Sequence, residues 1–284
     1  MKKPGLITRE YVNTVIKERP RDIHKGDCGK VLVIAGSVGM AGAAVLCARG
    51  ALRAGAGLVR ISAPEELYSI LQVGVPEATC VPRERSLPEL AACDAAAVGP
   101  GLGDDETNAG LIRGILENYD KTIVLDADGI NAISRFDLGK SLKATKAQVI
   151  LTPHPGEAAR FLRYCGEDIS GADRLRVAEL LVRHSGAICV LKGSKTLVAT
   201  RDGNSYINTT GNPGMATGGS GDVLTGIIAA LAGQGHSPET CAKAGVFLHG
   251  MAGDLCAESL GETGMTSLDL ANMTALAFKN IIGK

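Results

Sequence analysis

The chain of 284 residues has no tryptophan, only four phenylalanines and five tyrosines, and no basic run interleaved with aromatics. With 30 basic against 30 acidic residues it carries no net charge. Together these exclude a nucleic-acid surface and leave a small polar or anionic ligand as the expected partner. No segment approaches the ~20 apolar residues of a membrane span. The opening MKKPGLITREYVNTV is basic with no apolar stretch behind it, so no secretory signal is expected. The eight cysteines, at 28, 47, 80, 93, 165, 189, 241 and 256, include no C-x-x-C pair, and most stand among apolar neighbours. They read as reduced core thiols of a cytoplasmic protein, not as a disulfide framework. A Walker A loop is missing too: Gly139-Lys140-Ser141 supplies its tail, but Ser134 stands where the first glycine is needed. No linker rich in proline, serine or charge interrupts the chain, and there is no repeat. One domain is expected over 30–284, preceded by a surface segment, 1–29, containing a short helix.

From Lys30 onward, short apolar runs alternate with helical patterns. The runs are VLVIAG, LVRIS, AAAVG, TIVLDADG, VILTP and AICVLKG, with a small-residue helix from about Ala41 after the first. Strands alternating with helices predict an α/β fold with a mostly parallel sheet covered on both faces. In TLVATRDGNSYIN two short strand-like runs flank Asp202-Gly203 and predict a small antiparallel hairpin. After Gly235 the chain reads as helical.

Ligands of an open parallel sheet gather at the carboxyl ends of its strands. Five loops there carry unusual chemistry: GSVGMAG, GPGLG, DADGIN, PHPGE and KGSKT. In GSVGMAG the glycine spacing is G-x-x-G-x-x-G, not that of a dinucleotide fingerprint, and small residues serve either close packing or ligand approach. GPGLG reads both ways as well. Asp126 and Asp128 offer carboxylates, though capping and turn formation explain such residues equally. In PHPGE, His154 between two prolines is either structural or a ligand contact; Glu157 is either a first-turn helix acid or a Mg²⁺ ligand through water. Lys192 and Lys195 either meet nucleotide phosphates or are solvated.

Near the C-terminus, NPGMATGGSGDVLTGIIAALAGQG joins a glycine loop to an apolar helix beginning near Ser220. Unpaired N–H groups at such a junction can hold an anion, and glycine lets a phosphate approach the backbone. Gly218, Gly219, Ser220 and Gly221 are the leading candidates for holding a nucleotide phosphate. Asp222 either merely complements the helix dipole or acts chemically beside that anion.

Taken in order, GSVGMAGAA, GPGLG, LDADGIN, LTPHPGE, LKGSKT and NPGMATGGSGD resemble the ADP- or ATP-dependent NAD(P)H-hydrate dehydratases of ribokinase-like fold, over nearly the whole chain from Lys30. The resemblance implies a three-layer sandwich and an enzyme that phosphorylates the hydroxyl of a hydrated nicotinamide ring and releases phosphate, restoring NADH or NADPH. Carried over, Ala43, Gly103, His154 and Asp222 would contact the hydrate, NADHX or NADPHX. Lys192, Gly193, Ser194, Lys195, Thr196 and Gly221 would contact ADP or ATP, with ADP favoured. Asp222 would be the catalytic base, and Glu157 would match the acidic residue of the wider Asn-x-x-Glu motif, with Mg²⁺ bridging nucleotide oxygens. His154 stands where that wider motif has asparagine, which points away from sugar and vitamin kinases. Ser220 stands where threonine is commoner and keeps the hydroxyl. The resemblance further implies a homo-oligomer, a tetramer, and an epimerase on a separate protein, since no epimerase domain precedes these motifs. Two rivals remain: an ATP-dependent kinase of a vitamin precursor with the same fold, and a nucleotide-binding sensor without catalysis.

Overall fold

The computed structural model describes residues 3–283; Met1, Lys2 and Lys284, the outer ends of the two expected segments, lie outside the described residues. Its strands are β1 (Gly5–Ile7), β2 (Lys30–Ile34), β3 (Leu58–Ala63), β4 (Thr79–Pro82), β5 (Ala95–Val98), β6 (Thr122–Leu125), β7 (Gln148–Leu151), β8 (Ile188–Leu191), β9 (Leu197–Ala199) and β10 (Ser205–Asn208). The helices are α1 (Arg9–Val15), α2 (Ala41–Arg53), α3 (Tyr68–Gly74), α4 (Ser86–Ala91), α5 (Glu106–Asn118), α6 (Asp128–Arg135), α7 (Gly139–Ala144), α8 (Pro155–Tyr164), α9 (Arg174–Ser185), α10 (Ser220–Gly233), α11 (Pro238–Leu260) and α12 (Ser267–Ile282).

All ten strands join one sheet in the order β1-β10-β9-β8-β7-β6-β5-β2-β3-β4. Only β9 runs against its neighbours, and its pairing with β10 is the expected hairpin across Asp202-Gly203. Successive side chains of a strand face opposite sides. Val31 and Val33 therefore enter the core beneath α2, α10, α11 and α12, while Leu32 and Ile34 enter the one beneath α5, α6, α8 and α9. Burial on both faces explains why VLVI is apolar without alternation.

The segment ahead of Lys30 is not the expected surface appendage. β1 adds to the sheet edge in parallel register with β10, pairing Leu6 with Ile207. Ile7, Val12 and Ile16 are buried in the main core. Lys243 of α11 lies 4.3 Å from the ring centre of Tyr11 and 4.2 Å from that of Tyr206, clamping α1 to β10. A three-residue strand shows no periodicity, and its partner lies some 200 residues downstream, so neither local signal was present. β4 escaped for another reason: TCVP is a half-exposed edge strand ending in proline, not an apolar run.

Helices α2 and α10 pack backbone against backbone. A Cβ on Gly226 would overlap the carbonyl oxygen of Cys47, and one on Gly50 the carbonyl of Val223. The two helix backbones touch through these glycines, which brings their N-terminal ends together at one edge of the sheet. Gly226→Ala should therefore lower stability by about 2 kcal/mol or more through overpacking against backbone. Gly110→Ala, on an exposed face of α5 with nothing within 4 Å, should instead gain ~0.5–1 kcal/mol. Urea midpoints of the two variants moving in the same direction would contradict this packing.

Candidate active site

The chain leaves β2 toward β3 and β4 on one side, then returns to build β5 through β8 on the other. The order of strands reverses between β2 and β5, where a crevice opens beyond the carboxyl ends. GSVGMAG follows β2 and GPGLG follows β5. DADGIN, PHPGE and KGSKT leave β6, β7 and β8, so the five loops stand on five adjacent strands.

At the centre is Asp126, 1% exposed. Its Oδ1 pairs with the Lys192 ammonium, and its Oδ2 accepts from Thr225 Oγ1 of α10 at 2.8 Å. The next residue, Ala127, is held at φ 48°, ψ −118°, a sparsely populated conformation for a side-chain-bearing residue. The turn is so tight that a Cβ on Gly99 would overlap the Asp126 carbonyl. It sends Asp126 and Asp128 in different directions: Asp128 Oδ2 accepts from the Gly103 N–H at 2.9 Å. One acidic turn thereby fixes GPGLG, KGSKT and the start of α10 relative to one another. The sequence left both carboxylates open to a capping role; the side-chain partners settle that they bridge loops.

Gly219 caps α10 in the left-handed region, φ 89°, with no side chain on the first-turn N–H groups. Side chains instead take carbonyls: Ser267 Oγ donates to Gly218 O at 2.7 Å, and His249 Nε2 donates to Ser220 O at 2.9 Å. Burial pushes His249 down to about 4, so the ring is a neutral donor. The first-turn N–H groups are left without a side-chain partner, the arrangement that an anion at a helix N-terminus requires. A Cβ on Gly221 would stand 3.2 Å from Lys192 Nζ, so glycine there admits the lysine. Asp222, half-buried beside it, is pushed up to about 7, first by burial and then by the charge of Asp126, with Lys192 opposing.

His154 and Glu157 form a capping box on α8. His154 Nδ1 accepts from the N–H of Gly156 at 2.9 Å and of Glu157 at 3.3 Å, while Glu157 Oε2 accepts from the His154 N–H at 2.7 Å. An accepting Nδ1 leaves the ring proton on Nε2, which faces Glu157 Oε1 at 3.2 Å. His154 is thus a helix cap whose exposed ring faces the crevice side of β7. Glu157, 4% exposed, has its Oε2 3.8 Å from Lys192 Nζ.

Lys192 is not a solvated lysine: its side chain is 18% exposed and its ammonium stands among Asp126, Glu157 and Asp222. Burial pulls it down, but those carboxylates more than offset this and it stays charged. Gly193 is at φ 136° and Lys195 at φ 54°, and Thr196 Oγ1 donates to Gly193 O at 3.0 Å. Ala43, in the first turn of α2, packs against GPGLG; a Cβ on Gly101 would come within 2.9 Å of its own. Among the described residues no three His, Cys, Asp or Glu side chains converge as a metal cage. The Glu157 carboxylate, an oxygen donor at the crevice, nevertheless fits Mg²⁺, which keeps waters and takes one or two carboxylates together with phosphates.

Sequence reasoning missed Thr225, hidden in an apolar helix, and Arg83, which follows the unrecognised β4. Its Nη2 donates to the carbonyls of Ala35 at 2.9 Å and Gly36 at 2.7 Å. A separate cavity of about 340 Å³, lined by Asp137, Tyr164 and His184 among others, lies near the C-terminal ends of α8 and α9, at the opposite edge of the sheet.

A family model described as NAD(P)H-hydrate dehydratase matches residues 31–275. The ADP-dependent (S)-NAD(P)H-hydrate dehydratase of Neisseria meningitidis serogroup B is 42% identical over 249 residues, covering 87% of this chain and 83% of its own. The bifunctional NAD(P)H-hydrate repair enzyme Nnr of Moorella thermoacetica is 40% identical over 289 residues, covering 97% of this chain and 54% of its own. The chain spans about half the length of such bifunctional relatives. The ADP/ATP-dependent NAD(P)H-hydrate dehydratase of Bacillus subtilis, co-crystallized with ATP/Mg²⁺, superposes with a TM-score of 0.86 at 29% identity, covering 99% of this chain and 100% of that one.

Removing Lys192 leaves the Asp126 and Glu157 carboxylates without their cation. Lys192→Ala should cost about 3 kcal/mol, part of it recovered in the Lys192→Ala, Asp126→Asn double variant. Unfolding midpoints of the four proteins in this cycle measure the coupling; a loss below ~0.5 kcal/mol is what a solvated lysine gives.

Proposed function

The chain belongs to the NAD(P)H-hydrate dehydratase family and has its ribokinase-like α/β fold, and on that premise we propose that it is an ADP-dependent (S)-NAD(P)H-hydrate dehydratase acting on NADHX and NADPHX. The observation that carries this reading is the juxtaposition of an open helix N-terminus with a carboxylate raised to about 7 in a crevice between two sets of loops.

The hydrate lies over Ala43 and Gly103 with His154 at its edge, and the nucleotide lies over Lys192–Thr196 and Gly218–Gly221. Asp222 accepts the proton of the ring hydroxyl as its oxygen bonds to the terminal phosphorus of ADP and the bond from that phosphorus to the AMP oxygen breaks. First-turn N–H groups of α10 stabilise the charge on the transferred phosphoryl group. Phosphate then departs with the electrons of the carbon–oxygen bond, and loss of a proton from the neighbouring ring carbon restores the double bond of the dihydronicotinamide. Phosphorylation serves to convert a poor leaving group into a good one. Glu157 would hold Mg²⁺ through water, and the ion would supply neutralising charge to the nucleotide phosphates. Lys192 carries positive charge from the nucleotide loop to the buried carboxylates. The reading brings with it a cytoplasmic setting, which suits eight unpaired thiols, and a homo-oligomer, expected to be a tetramer.

The test is return of near-ultraviolet absorbance of reduced nicotinamide when NADH hydrate and ADP are supplied with Mg²⁺. A stable phosphorylated alcohol from another substrate points to a kinase; tight nucleotide binding without turnover points to a sensor. Asp222→Asn should fold with a near-normal Tm, bind ADP, and lose roughly 10²–10⁴-fold in rate. Near-normal kcat in that variant sinks the assignment of the base.

The pH dependence follows from the same residue. Asp222 must be ionised to accept a proton, so kcat/KM should rise as pH rises through about 7. Asp126→Asn removes a repelling charge and should move that limb to lower pH. The stability sign is opposite. A carboxyl raised on folding favours the folded state below its unfolded value, near 3.8, and this contribution is lost as pH rises toward 7. Asp222→Asn should flatten that fall in stability between pH 4 and 7, as thermal unfolding across the range will show.

A further inference from the structure

Most of the charged pairs behave ordinarily: Arg60 meets Glu89, Arg135 meets Asp104 and Arg176 meets Glu179. Arg83 and Arg174 differ. Among the described residues neither has a carboxylate within ion-pairing distance, and they alone of the arginines hold a buried Nε–H that meets no acceptor. Their remaining donors go to backbone carbonyls of the crevice loops. Arg83 takes Ala35 and Gly36 of the loop after β2, with a long 3.4 Å contact to Asn108 Oδ1. Arg174 takes Leu191 at 3.0 Å, Lys192 at 3.3 Å and Ser194 at 3.1 Å in the loop after β8.

A half-buried guanidinium without an ion-paired carboxylate is costly, and burial pulls both below their usual range, Arg83 to about 10 despite the more distant charges of Glu84 and Asp105. What each obtains for this is control of a loop. The C=O and N–H of a peptide point opposite ways, so carbonyls drawn onto the guanidinium turn the following N–H groups outward. Among the described residues the N–H groups of Ser37, Gly193 and Lys195 donate to no backbone carbonyl, whereas those of Gly36 and Lys192 are held by the carbonyls of Pro100 and Pro153, each at 2.9 Å. Gly193 is at φ 136°, a conformation that residues with side chains rarely adopt, and a Cβ there would stand 2.6 Å from Arg174 Nη1.

We propose that Arg83 and Arg174 are paired positioning cations, one behind each ligand loop, which turn the loop carbonyls inward, aim N–H donors at the crevice and leave a positive charge to be answered by the phosphates of the ligand. Which ligand belongs to which loop rests on the dehydratase reading: Arg174 serves the adenine nucleotide and Arg83 the phosphates of the dinucleotide hydrate.

The experiment compares Arg83→Met and Arg174→Met, each with its lysine counterpart. Arg174→Met should raise the ADP KM roughly tenfold or more, with the hydrate KM within about twofold, and Arg83→Met should do the reverse. Lysine keeps the charge but cannot bridge several carbonyls, so it should recover part of each loss. Thermal shifts produced by ADP and by NADPH, read separately, report the same split without turnover. The lysine variants carry the test if a methionine variant does not fold. A merely structural role lowers Tm and leaves both KM values and both shifts unchanged, or moves them together; either result overturns the proposal. If wild type turns over hydrate and the split is missing, the pairing fails and the dehydratase reading stands. If wild type turns over no hydrate but the ligand shifts split, the pairing stands and that reading fails. If wild type binds neither ADP nor NADPH, both are overturned.

Discussion

A carboxylate withdrawn almost wholly from water must be answered by a cation and by donors, or it will not stay ionised. Asp126 is answered twice, by Lys192 from the loop after β8 and by Thr225 from α10. Because those partners come from distant parts of the chain, satisfying one buried charge fixes the loop after β8 against the N-terminal end of α10. Its backbone does the same for the other half: the strained Ala127 turn, seated against Gly99, lets Asp128 hold the Gly103 N–H. The arrangement of the crevice follows from where this turn is allowed to sit.

The second constraint is steric. Gly50 and Gly226 let α2 and α10 meet backbone to backbone. Without that contact the N-terminal ends of these helices would stand farther apart, and the loop after β2 and the glycine loop before Ser220 would not border one crevice. Packing on one face of the sheet therefore sets a distance that matters for chemistry at its edge.

What could be read from the sequence divides along the same physical lines. Strands buried on both faces announce themselves as apolar runs, so six parallel strands and the hairpin were legible, as were α10 and both helices after Gly235. Strand β1 is three residues long and is defined by a neighbour far down the chain, and β4 is a half-exposed edge strand, TCVP, with a single buried residue. No local pattern reports such a pairing. The glycine loops could be placed at strand ends because strand direction follows from alternation with helices. The partnership of Lys192 with Asp126 could not, since a lysine after a strand looks the same whether it turns to water or inward. His154 shows the limit from the other side: flanking prolines singled it out, but the capping box that occupies its Nδ1 depends on ring orientation.

The charge cluster also accounts for how Asp222 would serve as base near neutrality in the proposed reaction. An aspartate in water is ionised at pH 7 but too weak a base to take a proton from an alcohol with much driving force. Burial and the negative field of Asp126 raise Asp222 to about 7, which strengthens it as an acceptor. Carried further, the same effects would leave it protonated and useless. Lys192 opposes them, and because its ammonium is already committed to Asp126 and Glu157 it does so only in part. Asp222 is thus poised by a cation shared among several carboxylates, and Lys192 from the loop after β8 limits how far its raising can go.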